Sequence, residues 1–137
     1  MSKLNEFFKD KKEYAAVFIR WIVGVHLIIG VQDNILSWER MLEFKDFLEH
    51  FGFPIPLLSA ILSVYAQFIC AVLFLIGWKV REAALVMIIN FVVALLMVHL
   101  GNDPYPAMFP ALVMLAGSLF LLFNGAGKLS IEERKNN

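Results

Sequence analysis

The chain reads as an all-α integral membrane protein: a bundle of four spanning helices, with a short amphipathic helix at the interface between the first and second. Two observations predict this. Four long apolar stretches, at about 15–36, 57–78, 83–100 and 107–123, fill nearly all of the 137 residues. Each is close to the ~17–25 residues that a helix needs to cross ~30 Å of hydrocarbon. The composition is the second: 60% of residues are hydrophobic and 18% charged, with a mean hydropathy of +0.71. A soluble domain of this length needs more polar surface, and so short a chain cannot cover four wholly apolar helices. Residues 1–137 are therefore expected to form a single transmembrane domain.

The elements follow in order. Lys3, Lys9, Lys11 and Lys12 precede the first apolar stretch, as in a signal peptide. That stretch is too long for a signal core and has no small-residue cleavage site, so it reads as a retained anchor. Ser37 is a good N-cap, Glu39 suits a first helical turn and Gly52 suits the residue after a helix end. Between them Met41, Phe44, Leu48 and Phe51 recur at helical spacing, which makes 37–52 the amphipathic interfacial helix. Phe53-Pro54-Ile55-Pro56 reads as an extended re-entry into the second span. Lys79 and Arg81 mark a tight turn before the third. Pro104, Pro106 and Pro110 lead into the fourth, and Gly125-Ala126-Gly127 ends it. Ser130 with Glu133 resembles a capping box for a short tail helix.

Charge orients the bundle. Lys3, Lys9, Lys11, Lys12, Lys79, Arg81, Lys128, Arg134 and Lys135 fall on one side of a four-span topology, nine basic residues against Arg40 and Lys45 on the other. The positive-inside rule then places both termini in the cytoplasm. Net charge is zero, so no basic surface argues for nucleic acid. Cys70 is the single cysteine. It allows no disulfide within the chain, supports no cysteine-based metal centre and reads as a packing residue.

Ionisable and amide side chains inside a membrane are the functional candidates, because each is expensive there. Arg20 lies ~8 Å into the first span at ~1.5 Å per residue. It is placed to snorkel to the headgroups or to pair with Glu82 at the start of the third span. His26 lies near mid-depth, and Gly30 and Asp33 follow on the same helix face at i+4 and i+7. That spacing separates His26 from Asp33 by ~10 Å, so a water or ligand group must bridge them. Gln67 and Asn90 are near mid-depth on the second and third spans, where amides commonly act as interhelical glue. His99 closes the third span. Nine residues from Asn90, it is about half a turn out of phase, and the two share a groove only if the helix bends. A polar pocket lined by His26, Gln67 and Asn90, open toward Asp33 and His99, is the expected site. His26, Asp33 and His99 lack a ligand spacing such as H-x-x-x-H, so no metal is expected.

Several motifs together resemble one family. Arg20-Trp-Ile-Val-Gly24 followed by Gly30-Val-Gln32 is similar to the first helix of the DoxX family of small four-helix membrane proteins. Gly52-Phe-Pro54, then Leu75-Ile-Gly77 with Arg81-Glu-Ala-Ala84, resembles its re-entry and its turn between helices 2 and 3. His99 resembles its histidine near the end of helix 3. Gly125-Ala-Gly127-Lys128-Leu-Ser130-Ile-Glu132 resembles its closing signature. The resemblance implies a bacterial inner-membrane, multi-pass protein. Some relatives belong to thiosulfate:quinone oxidoreductases or to redox-defence complexes. It therefore implies a redox-linked subunit with a quinone as candidate ligand and a membrane or redox protein as candidate partner. The chain departs from the pattern at Asp33, where lysine is common, and at Gln67, where many members carry glutamate. Both changes remove a group that handles protons or anions.

A non-enzymatic assembly module, with small residues and amides holding a partner helix or a second copy, is the alternative. A small-solute carrier is disfavoured, since no broken-helix pair or inverted repeat is evident. The topology is directly testable. Single cysteines introduced at Glu43 or Asn102 are expected to react with an impermeant thiol reagent added outside intact cells. Reaction at Lys11→Cys or Lys135→Cys instead would reverse the orientation.

Overall fold

A computed structural model describes residues 2–136. A short helix α1 (Lys3–Phe8) and a 3-10 turn (Lys12–Tyr14) lead into α2 (Ala15–Leu36). Then follow α3 (Trp38–His50), α4 (Pro56–Ile76), α5 (Val80–Ala94, prolonged by a π-helical turn at Leu95–His99), α6 (Tyr105–Asn124) and α7 (Ile131–Asn136). Four of these segments, Lys12–Leu36, Pro56–Ile76, Val80–His99 and Tyr105–Asn124, are long and apolar enough to span a membrane. Phe18, Ile29, Leu62, Ile69, Leu96 and Phe123 are among many large apolar side chains left exposed, as a lipid-facing surface requires.

Local chemistry sets the boundaries. Ser37 ends α2 and begins α3, its hydroxyl accepting from the Arg40 N–H at 3.3 Å. At the other end of α3, Gly52 takes φ +82°. The Phe53 N–H returns to the Leu48 carbonyl at 3.1 Å and the Gly52 N–H to Glu49 at 3.0 Å. This is a Schellman closure, which glycine makes inexpensive. Met41 and Leu48 of α3 pack with Val31 of α2 and with Ala60 and Val64 of α4. The interfacial helix is thereby fastened across one end of the bundle. Re-entry into α4 is tighter than the extended segment expected, because Ile55 adopts the left-handed region at φ 43°. Pro56 then occupies the first helical position, where its missing N–H costs nothing. Gly77 stops α4 two residues before the expected end, and α5 begins at Val80 rather than 83 because Lys79 reverses the chain at φ 50°. Pro106 fits the first turn of α6, which starts at 105 instead of 107, and Pro110 lies inside the helix.

Around the bundle, α2 packs along α4 and α5 along α6, while shorter contacts of α4 with α5 and of α2 with α6 close the ring. The end that carries α1 and α7 is called proximal, and the end covered by α3 distal. The proximal half is solid. Val23, Leu27, Phe74, Val80, Ala84, Met87 and Leu121 are almost wholly buried there. Gly24 lets α4 come close: a Cβ on it would lie 2.9 Å from Leu75 Cγ and 3.0 Å from the Ala71 carbonyl.

Arg20 is the largest fully buried side chain. Its Nη1 donates to the carbonyls of Ala126 (2.9 Å) and Lys128 (3.2 Å), and its Nη2 to Leu129 (2.8 Å). This corrects the expected pairing with Glu82, which is exposed and forms no ion pair with Arg20 among the described residues. The reason is the loop 125–130, which folds back under the bundle and presents three carbonyls that no helix satisfies. A Cβ on Gly77 would overlap Ser130 and lie 2.8 Å from Arg20 Nη1, so the glycine leaves the guanidinium its space. The tail is held further by the Glu132 carboxylate accepting from the Val80 N–H at 3.0 Å, and by the Lys128 N–H donating to Glu13 at 3.1 Å. Ser130 caps α7, accepting from the Glu133 N–H at 3.1 Å, but Glu133 reaches back to the Leu129 N–H at 2.8 Å and not to that of Ser130. On the surface Lys128 bridges Glu133 (3.1 Å) and Glu13 (3.4 Å). The Lys128 contact holds the Glu133 carboxyl below its usual range, and Glu133 holds the Lys128 ammonium above its own. The depressed Glu133 contributes stability above the ordinary carboxylate range and loses it as pH falls through its folded value.

Replacing Arg20 by Leu strips three carbonyls of their donors. A loss of about 3 kcal/mol or more is expected, read as a lower melting temperature in detergent and as new proteolytic cleavage within 125–136. Arg20→Lys restores part of it, since one ammonium cannot match a planar fork. An unchanged cleavage pattern in Arg20→Leu would refute the clasp.

Candidate ligand cavity in the distal half

The distal half is hollow. A cavity of about 550 Å³ lies among α4, α5 and α6, with α2 supplying His26 and α3 closing it with Phe44, Phe47 and Leu48. The asymmetry has a simple origin. α4 and α5 meet through the tight Gly77–Lys79 turn proximally, where small residues and Phe74 fill the core, whereas at the distal end α3 lies between solvent and the helix ends.

Polar groups cross the cavity wall as a chain. The Gln67 amide Nε2 donates to Ser63 Oγ at 3.1 Å, and the Ser63 hydroxyl donates to Asn90 Oδ1 at 2.9 Å. The chain joins α4 to α5 near mid-depth, and its three residues all line the cavity. It leaves the Asn90 NH₂ and the Gln67 carbonyl oxygen with capacity for a ligand. The surrounding wall is apolar, from Phe53, Leu62, Ile89, Phe91 and Met114.

His99 reaches the same cavity because of the π turn. The Leu100 N–H donates to the Leu95 carbonyl at 2.8 Å, five residues back. One extra residue in the turn moves the phase by ~100°, which reduces the offset between Asn90 and His99 from ~180° to ~80°. His99 Nδ1 lies 2.8 Å from Asp103 Oδ2, so the carboxylate fixes which ring nitrogen holds a proton and turns Nε2 outward from the pair.

The structure thus places His26, Gln67, Asn90 and His99 around one cavity and leaves Asp33 outside its lining. Asp33 is exposed on α2. It contributes to the raised pKa of Arg40, whose largest cause is the Glu43 carboxylate hydrogen-bonded to it. An Asp33 support for His26 therefore has no counterpart in this arrangement. His26 itself is an exposed side chain at the cavity's edge. Ser63, the hub of the polar chain, had a readable signal in its i, i+4 spacing to Gln67. Asp103 had one too, in its i, i+4 spacing to His99, and the Asp103 N–H donates to the His99 carbonyl at 2.9 Å. Among the described residues no three His, Cys, Asp or Glu side chains gather as a metal site.

Four apolar helices around a cavity with a mid-depth polar chain define an all-α, multi-pass membrane protein. The DoxX family matches residues 15–100, well over half of the chain, and the chain belongs to that family. The match contains Arg20 and every cavity candidate, and ends before the tail that Arg20 holds. No curated protein and no solved structure matches.

Ser63→Ala removes the hub and leaves two amides short of a partner. Within a membrane such bonds are worth ~0.6 kcal/mol each, so a loss of about 1 kcal/mol is expected in reversible unfolding from bicelles. A change indistinguishable from zero would mean that water satisfies the amides.

Proposed function

We propose that the chain is a redox-linked subunit of a bacterial inner membrane, with both termini cytoplasmic. Its distal cavity binds a quinone or similar lipophilic molecule with a carbonyl-bearing ring, and the subunit works with a partner oxidoreductase. The observation that carries this reading is the Gln67–Ser63–Asn90 chain set in an otherwise apolar cavity of about 550 Å³. Ligand sites of ~300–1,000 Å³ combine apolar walls with a few convergent polar groups in this way. The residues fit such a group. Asn90 offers N–H donors to a ring carbonyl, Gln67 an acceptor to a hydroxyl, and the apolar wall covers the ring faces. Gln67 is neutral and Asp33 lies outside the lining, so neither brings a fixed charge to it, which favours a neutral ligand over an anion. A bound quinone supplies two-electron chemistry, and the chain supplies orientation and the exclusion of water. His26 and His99 are the titratable side chains at the lining, with Asp103 holding the His99 ring.

Protein purified from membranes into nanodiscs is expected to carry quinone extractable by organic solvent. Asn90→Leu, which removes the free donors and keeps the volume, should lower that content about tenfold. Wild-type protein without quinone, and unable to take it up when it is supplied, would overturn the reading in favour of an assembly module.

A further inference from the structure

A second concavity, of about 880 Å³, lies outside the bundle between α2 and α6 in the proximal half. Its floor is Val23, Met114 and Gly117, and a Cβ on Gly117 would stand 2.8 Å from Val23 Cγ2, so the two helices touch there and part toward the surface. Phe18 and Ile22 wall one side and Val113 and Phe120 the other, all exposed. From Ala15 to Val23 the groove extends ~12 Å along α2, close to the depth of one leaflet of a ~30 Å hydrocarbon core.

The groove is apolar along its length and cationic at one end. Lys11 lines its proximal end. The ammonium is held in place, donating to the Phe7 carbonyl at 2.8 Å and standing 4.0 Å over the Phe7 ring, which leaves further N–H donors for an anion. Lys9 and Lys12 flank it. Of the three acids on the same segment, Glu13 already faces Lys128 at 3.4 Å, which leaves Glu6 and Asp10 against Lys9, Lys11 and Lys12. The rim therefore carries net positive charge where headgroup phosphates lie. A second copy of the chain meeting this face in the same membrane orientation would bring its own Lys11 toward the first, an unfavourable like-charge encounter.

We propose that this groove binds an anionic phospholipid, with one acyl chain along α2 and α6 and the phosphate on the Lys11 ammonium. The site opens on a different face from the distal cavity and meets it at Met114, which lines both.

The test is native mass spectrometry of protein released from nanodiscs of equal parts phosphatidylglycerol and phosphatidylcholine with identical acyl chains. Wild-type protein should retain phosphatidylglycerol in preference. Lys11→Gln should reduce the preference about fivefold, the worth of one lysine near a charged surface, whereas Lys3→Gln, the same charge change outside the groove, should leave it intact. Val113→Phe, at an exposed wall position, should lower retention of both lipids while keeping the wild-type proteolysis pattern, and Ala116→Leu substitutes if that pattern is lost. Equal retention of the two lipids, equal losses from Lys3→Gln and Lys11→Gln, or a lipid-free dimer abolished by Val113→Phe would each overturn the proposal.

Discussion

The guanidinium of Arg20 holds the proximal end of this protein together. Backbone carbonyls turned away from water need partners, and the chain after α6 turns back with three carbonyls unclaimed by any helix. One planar cation with five donors satisfies Ala126, Lys128 and Leu129 at once. That single contact spans 106 to 109 residues of sequence. It draws the start of α2, the turn after α4 and the tail into one unit. Gly77 and Gly127 are consequences of it. Both take positive φ, and side chains there would strike Ser130 and the Glu13 carbonyl respectively. In the closing Gly-x-Gly-Lys-x-Ser-x-Glu stretch, Gly127, Ser130 and Glu132 serve packing, capping and backbone pairing.

A sealed proximal end leaves room at the distal one. Helices joined by a tight turn and filled by Phe74, Val80, Ala84 and Met87 cannot separate there, so unfilled volume collects beneath α3. The cavity and the amide–hydroxyl chain across it lie in that half. The π turn belongs to the same logic. A straight α5 would point His99 away from Asn90. One wide turn brings both to the cavity, and widened turns of this kind concentrate at functional sites. A closely packed end opposite a chamber with convergent polar groups is an arrangement suited to holding a lipophilic molecule.

The two concavities divide the bundle between them. The distal cavity mixes amides, histidines and aromatic rings, and lies partly inside the ring of helices. The proximal groove is apolar, faces lipid and has a lysine at its head. Their chemistry and depth differ, and Met114 lines both.

Much of the fold was legible because the bilayer simplifies the problem. An apolar run of about 20 residues has one stable form in lipid, so four spans, the interfacial helix with its Ser37 and Gly52 boundaries, and the tail cap at Ser130 all follow from composition and local rules. The spans shifted by one to three residues where Gly77, Lys79 and Pro106 govern the ends through backbone geometry. The depth of His26, Gln67 and Asn90 was legible from counting along helices. Partners were not. That Arg20 binds carbonyls and not Glu82, that Ser63 joins Gln67 to Asn90, that His99 swings into the cavity while Asp33 stays outside it, each depends on helices meeting at particular rotations and on one extra residue in one turn. Hydropathy along a chain carries the period of each helix, but the contacts between helices depend on rotation and close approach, which only the packed bundle decides.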